Sequence, residues 1–205
     1  MPKKTIKPNK FQRQLPNIFL YFRLIAIPAF IIFMYGVDKP SWMLAALIIF
    51  VLASISDFFD GFFARRYDLS NDFGKLMDPL VDKVLTSAAF VCLVGLGIIA
   101  PWGVVVILGR EFLVSGIRSL AASEGRVIAA RFSGKLKTTI QMFSIIFFLI
   151  FLWILSVAHL HDANTNNLFL NIISATANVT YYFAVALTVY SGAEIIYDYL
   201  KSKKK

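Results

Sequence analysis

Four aspartates stand close together in the sequence, between two long apolar segments: Asp57, Asp60, Asp78 and Asp82. A carboxylate at membrane depth costs free energy unless it is paired or holds a cation. The first pair is spaced i, i+3 and the second i, i+4, so on helices each pair projects from one face. The pattern therefore predicts two helix faces that meet at a site for cations.

Residues with little or no side chain accompany the first acid pair. At about 100° per residue, Gly61 and Ala64 fall in the same sector of a helix as the two acids. Small residues leave room for a large ligand to approach the backbone. Arg65 follows as a fixed cation, which is able either to neutralise the acids or to bind a phosphate.

The composition is that of a membrane protein. Of the 205 residues, 58% are hydrophobic and 16% charged, whereas soluble domains average about 25% charged. Six spans of about 20 residues account for the apolar positions, so we predict an all-α integral membrane protein with six transmembrane helices. A basic juxtamembrane segment is expected at 1–17, the six-helix membrane domain at 18–200 and a basic tail at 201–205.

The hydropathy pattern places the six spans, and the basic residues orient them. The predicted spans are 18–35, 42–63, 79–100, 102–121, 138–158 and 168–190. Lysines and arginines crowd both termini and the turns after the second and fourth spans, while the other connections contain only Lys39. The positive-inside rule therefore predicts a multi-pass protein of the cytoplasmic membrane, with both termini and the acid pairs on the cytoplasmic side. The net charge of +9 then lies at a membrane face, and no nucleic-acid partner is expected.

The spaced pattern of these residues resembles a known signature. Asp57-x-x-Asp60-Gly61-x-x-Ala64-Arg65, eight residues, Gly74-x-x-x-Asp78-x-x-x-Asp82 is similar to the signature of the CDP-alcohol phosphotransferases. The resemblance implies an enzyme that binds a CDP-linked lipid or alcohol and two divalent metal ions, passes the phosphoryl-lipid group to an alcohol and releases CMP. Homodimerisation is also implied by this likeness alone.

The resemblance also implies roles for individual residues. Asp82 matches the general base, and the four aspartates would hold the two ions; hard oxygen ligands favour Mg²⁺ or Mn²⁺. The residues implied in binding the CDP-linked lipid are Gly61, Ala64, Arg65, Asn71, Gly74 and Asn17. Asn17 belongs to a segment, Pro16-Asn17 to Arg23, that resembles the first transmembrane helix of the family, although Leu20 stands where the pattern has Thr. For Arg23, a nucleotide contact and simple snorkelling to the interface both stay open.

The acceptor is less constrained than the donor. Arg110 and Glu111 lie in an apolar span, so they either form ion pairs that hold spans together or belong to a basic pocket for a phosphorylated alcohol. The stretches Gly109–Arg118, Ala121–Gly125 and Gly134–Met142 resemble the phosphatidylglycerophosphate synthase branch of the family. That likeness implies CDP-diacylglycerol and sn-glycerol 3-phosphate as substrates, with Arg110, Arg118 and Lys135 on the acceptor phosphate.

Three alternatives remain at this stage. A cardiolipin synthase of the same fold would share the signature but would need no pocket for a small phosphorylated acceptor. A cation transporter would also place carboxylates in transmembrane helices, although here the acids gather at one predicted face. A purely structural membrane protein would not need glycine and alanine at fixed offsets from four acids.

Overall fold

A computed structural model describes residues 10–67, 72–125, 132–160 and 168–203. Within these ranges the regular secondary structure is helical, which confirms the predicted all-α class. The helices are α1 (Lys10–Met34), α2 (Pro40–Tyr67), α3 (Asp72–Gly95), α4 (Pro101–Ser123), α5 (Phe132–Leu160) and α6 (Leu168–Lys203).

The third helix ends earlier than the predicted span, which extended to Ala100. Gly97 adopts φ 70°, a left-handed conformation that glycine reaches without steric cost. Its N–H donates to the carbonyl of Val94 at 2.9 Å, and the N–H of Ile98 donates to that of Leu93 at 3.0 Å. These two bonds form a Schellman motif, which terminates α3. Pro101 then occupies the first turn of α4, where a missing N–H has no cost.

The first helix begins at Lys10, so the last part of the predicted 1–17 segment is helical and continuous with the first predicted span. Residues 1–9 lie outside the described part of the chain. At the other end, α6 continues through Lys201 as the sequence indicated.

Two of the described helices are long and apolar enough to cross a membrane, Phe132–Leu160 and Leu168–Lys201. Shorter apolar stretches occur at Leu20–Met34, Pro40–Ser56 and Lys83–Gly95. These helices fit a membrane protein, while the number of spans stays a prediction.

The chain divides into two compact units. The first comprises Met1–Ala88 and Leu152–Ala163. In it α1 packs against α2, and the rings of Phe30 and Phe50, both fully buried, lie 5.7 Å apart between their centroids. Between helices in a bilayer, such ring contacts stabilise through close van der Waals packing, because lipid tails are as apolar as the rings.

The second unit comprises Ala89–Phe151 and Asn164–Lys205, and Tyr181 lies at the centre of its packing. The hydroxyl of this fully buried side chain donates to the carbonyl of Ala100 at 2.9 Å, which fastens α6 to the start of α4. Its ring lies 6.0 Å from that of Phe90 and 6.3 Å from that of Phe148. A Cβ atom at Gly103 would collide with the Tyr181 hydroxyl, so glycine permits this close approach of α4 and α6.

Candidate active site

The backbone places each signature acid pair on one helix. Asp57 and Asp60 lie in α2, and Asp78 and Asp82 lie in α3. Both pairs are therefore on helices, as predicted, where i, i+3 and i, i+4 positions share one face. The side chains of all four aspartates lie outside the described part of the structure. The meeting of the two faces therefore stays a prediction.

The residues assigned to the CDP-linked lipid follow the same helices. Gly61, Ala64 and Arg65 belong to the last turns of α2, and Gly74 to the first turn of α3. Asn71 lies outside the described residues, and Asn17 belongs to α1. The roles of these residues stay predictions.

The burial of Arg23 tests the interpretation that this residue snorkels to the interface. Its side chain is completely buried in the first unit, so protein encloses the guanidinium. A snorkelling arginine would instead extend its charged head to the aqueous interface. The snorkelling interpretation is therefore wrong, and the nucleotide contact of Arg23 stays a prediction.

Arg110, by contrast, has side-chain partners on two helices of the second unit. Its side chain on α4 is 10% exposed. Nη1 donates to Oε1 of Glu111 at 3.3 Å, and Nη2 donates to Oγ of Ser191 on α6 at 2.9 Å. A Cβ atom at Gly192 would lie 3.0 Å from Cγ of Arg110, so the α6 backbone passes close to the arginine stem.

Glu111 is shared by two cations. The same Oε1 atom that accepts from Arg110 forms an ion pair with the ammonium of Lys137 on α5, whose side chain is 2% exposed. The alternative that these residues form ion pairs between helices is thus confirmed for Glu111, whereas Arg110 contacts α6 through a hydrogen bond. It does not exclude the acceptor pocket, because Nε of Arg110 is buried and has no hydrogen-bond partner among the described residues.

The other two predicted phosphate contacts lie elsewhere on their helices. Arg118 on α4 and Lys135 on α5 are both exposed. Residues two positions apart on a helix project in directions that differ by about 200°. This explains why Lys135 is exposed while Lys137 is buried. The buried cation of α5 is therefore Lys137, which sequence reasoning left in a hydrophilic turn.

A row of polar contacts, which we call the polar seam, joins α4, α5 and α6. Ser133 donates to Oε2 of Glu194 at 2.5 Å, and Nε2 of Gln141 donates to Oγ1 of Thr188 at 3.1 Å. Lys137 and Arg110 lie between these two pairs along α5 and α6. The α5 members recur at helical spacing, which is the signal in the sequence that would have found them: Ser133, Lys137 and Gln141.

Comparison with known proteins identifies the chain's relatives. The family described as CDP-alcohol phosphatidyltransferase matches residues 13–190. A CDP-diacylglycerol–glycerol-3-phosphate 3-phosphatidyltransferase of Rickettsia bellii (strain RML369-C) is 34% identical over 196 residues, which cover 96% of this chain and 98% of the relative. A protein of the same name from Bacillus subtilis (strain 168) is 39% identical over 142 residues, covering 64% and 74%.

A more distant relative extends over the whole chain. The protein of that name from Mycoplasma pneumoniae (strain ATCC 29342 / M129 / Subtype 1) is 30% identical over 227 aligned positions, covering 100% of this chain and 97% of the relative. Because the family match covers most of the sequence, including both helices with the aspartate pairs, the chain belongs to the CDP-alcohol phosphatidyltransferase family.

Proposed function

We propose that the chain transfers the phosphatidyl group of CDP-diacylglycerol to sn-glycerol 3-phosphate, giving phosphatidylglycerol phosphate and CMP. The observation that carries this proposal is the aspartate signature on α2 and α3 in a member of this family. Relatives that cover almost the whole chain are named for the same reaction. Family membership also favours a transferase over the cation transporter considered above.

The donor site uses the signature residues. Four carboxylates with helical spacing form an all-oxygen donor set, which fits two Mg²⁺ or Mn²⁺ ions held by Asp57, Asp60, Asp78 and Asp82. Such ions, when bound, neutralise the diphosphate and stabilise the charge that develops on the departing group. The lipid-binding residues that we assign beside them are Gly61, Ala64, Arg65, Asn71, Gly74 and Asn17.

The chemical step needs a base and an aligned acceptor. Asp82 removes the proton from the acceptor hydroxyl. The hydroxyl oxygen then forms a bond to the lipid-side phosphorus of CDP-diacylglycerol, and the bond from that phosphorus to the bridging oxygen breaks. The electron pair of that bond leaves with CMP. Positioning and electrostatic stabilisation supply most of the rate in phosphoryl transfer of this kind.

The acceptor phosphate is bound by cations from α4 and α5. We assign Arg110, Arg118 and Lys135 to this phosphate. Arg110 supports the assignment, because it keeps a buried Nε–H donor that no described residue uses. A guanidinium suits a phosphate, since it offers several donors in one plane.

The reaction is tested by offering the purified protein a panel of acceptors. With labelled CDP-diacylglycerol and Mg²⁺, CMP release should be fastest with sn-glycerol 3-phosphate, and the lipid product should be phosphatidylglycerol phosphate. Faster release with phosphatidylglycerol would instead indicate a cardiolipin synthase. Release that no alcohol accelerates would contradict a transferase.

The membrane arrangement is part of the same proposal. We infer six spans, with both termini and the active site facing the cytoplasm, because the basic residues occupy alternate connections. In a Cys92→Ser background, cysteines introduced at Ser70 and at Asn166 should react with impermeant reagents from opposite sides of sealed vesicles. Labelling of both from one side would contradict this topology. A homodimer, supported by family likeness, predicts twice the protomer mass in light scattering of the detergent-solubilised protein.

A further inference from the structure

Arg110 is held on three sides by residues of its own unit. Glu111 accepts a hydrogen bond from Nη1, Ser191 accepts one from Nη2, and the backbone at Gly192 lies against the side-chain stem. Contacts to both terminal nitrogens fix the plane of a guanidinium as well as its position. The remaining buried donor, Nε–H, therefore points in one defined direction.

Glu111 is itself held from two helices. The carboxylate contacts Arg110 on α4 and Lys137 on α5. The Lys137 ammonium is enclosed by protein, and removing one partner of a buried ion pair leaves an uncompensated charge. Lys137 thus keeps Glu111 in place, and Glu111 orients Arg110.

Packing alone does not account for this arrangement. Replacing a buried ion pair by apolar residues of similar volume is often neutral or stabilising, so a structural role would be served as well by leucine or methionine. A buried donor without a partner is costly unless a ligand uses it. The Nε atom of Arg110 is such a donor within the described part of the chain.

We infer that Glu111, Lys137 and Ser191 are positioning residues that hold Arg110 so that its Nε–H meets the phosphate of the acceptor. The inference rests on the proposed function, because it takes sn-glycerol 3-phosphate as the acceptor. None of the three residues needs to touch the substrate. Each acts through Arg110, Lys137 by way of Glu111.

The inference is tested with Ser191→Ala and Glu111→Gln in the purified full-length protein. Each should raise KM for sn-glycerol 3-phosphate about tenfold, the effect of losing one hydrogen bond to a charged group. KM for CDP-diacylglycerol should change less than twofold, because these residues act only on the acceptor side. Ser191→Cys, which keeps the shape but is a weak acceptor, should resemble Ser191→Ala.

The matched control is Thr188→Ala. Thr188 lies one turn before Ser191 on the same face of α6, and its side chain accepts the hydrogen bond from Gln141. Its loss should lower the unfolding temperature as much as Ser191→Ala does, without the selective rise in KM. An equal rise in Thr188→Ala would overturn the inference, since general loosening of the seam would then explain the effect.

The role of Lys137 is tested by combining its substitution with that of Glu111 in one double variant. If it acts through Glu111, the double variant Glu111→Gln, Lys137→Met should show no larger rise in KM than the more affected single variant. Effects of the single variants that multiply would overturn the assigned role of Lys137. If Lys137→Met does not fold, Lys137→Arg keeps the charge and should shift KM for the acceptor by less than Glu111→Gln does.

The activity of the unmodified protein distinguishes failure of the positioning inference from failure of the proposed function. If it releases CMP with sn-glycerol 3-phosphate but Ser191→Ala and Glu111→Gln keep its KM, the positioning inference alone is overturned. If the unmodified protein gives no product with this acceptor, the proposed function fails and the inference fails with it.

Discussion

Two regions of the chain carry charge into apolar helices: one contributes carboxylates at fixed spacing, and the other pairs largely buried cations with a carboxylate. The signature stretch of α2 and α3 carries four aspartates, whereas the polar seam of α4, α5 and α6 encloses the cations Arg110 and Lys137 around Glu111. Carboxylates bind divalent metal ions, and such ions bind a diphosphate. Cationic side chains instead bind the phosphate of a phosphorylated alcohol directly. This difference is the basis on which we propose the first region for the donor and the second for the acceptor.

The largest effect should come from the acid region. Asp57→Asn or Asp78→Asn removes one of the four carboxylates that we assign to the metal ions, so activity should fall close to background while the protein still folds. Removal of divalent ions by a chelator should have the same effect and be reversed by Mg²⁺. CMP release in the assay described above is the measurement.

Full turnover by the protein in excess chelator would contradict the assignment of metal ions to the aspartates. The unfolding temperature of each variant in detergent serves as the control. A large drop would attribute the lost activity to misfolding instead of metal binding.

The next largest effect is expected at Asp82. If this residue removes the hydroxyl proton, Asp82→Asn should lower kcat by at least about 10²-fold, and by more if a metal ligand is lost as well. KM for sn-glycerol 3-phosphate should change little. A variant with normal kcat would remove Asp82 from both roles.

A smaller and selective effect should come from the cations at the exposed ends of α4 and α5. Arg118→Ala and Lys135→Ala should chiefly raise KM for sn-glycerol 3-phosphate, because each loses a charge-assisted contact worth about 1.5–3 kcal/mol, roughly 10-fold to 150-fold in kcat/KM. Steady-state kinetics with each substrate varied in turn is the measurement, and exposed Lys201 replaced by alanine is the control. Weakened binding of CDP-diacylglycerol with an unchanged acceptor KM would move these residues to the donor region.

The smallest effect on catalysis should come from packing. Gly103→Ala would force the added Cβ against Tyr181, so we expect a lower unfolding temperature and a cost of about 1–3 kcal/mol, with the ratio of the two KM values unchanged. Gly116→Ala on the same helix is the control, because its Cβ would meet no atom within 4 Å. A shift in acceptor KM on Gly103→Ala would show that the seam depends on the Tyr181 contact.

The two regions also differ in how far the sequence reveals them. Spacing along single helices was enough to predict the acid pairs, because i, i+3 and i, i+4 positions share a face wherever the helix lies. Arg110 and Lys137 share Glu111 as a partner but lie on different helices, so this contact required the tertiary structure. The burial of Lys137 was likewise not predicted, because the sequence alone does not tell which side of α5 packs against other helices. The end of α3 was missed because the left-handed Gly97 stands inside an apolar run.

The length of α6 has a mechanical consequence. Its 36 residues measure about 54 Å at 1.5 Å per residue, against about 30 Å of hydrocarbon in a bilayer. Even a tilt of about 40° leaves a projected length of about 41 Å, so several turns emerge. Near that end, the hydroxyl of Tyr199 donates to Glu124 beyond the end of α4 at 3.5 Å. If α6 crosses the bilayer, a membrane thinner by a few ångströms would leave about one more turn of α6 in water.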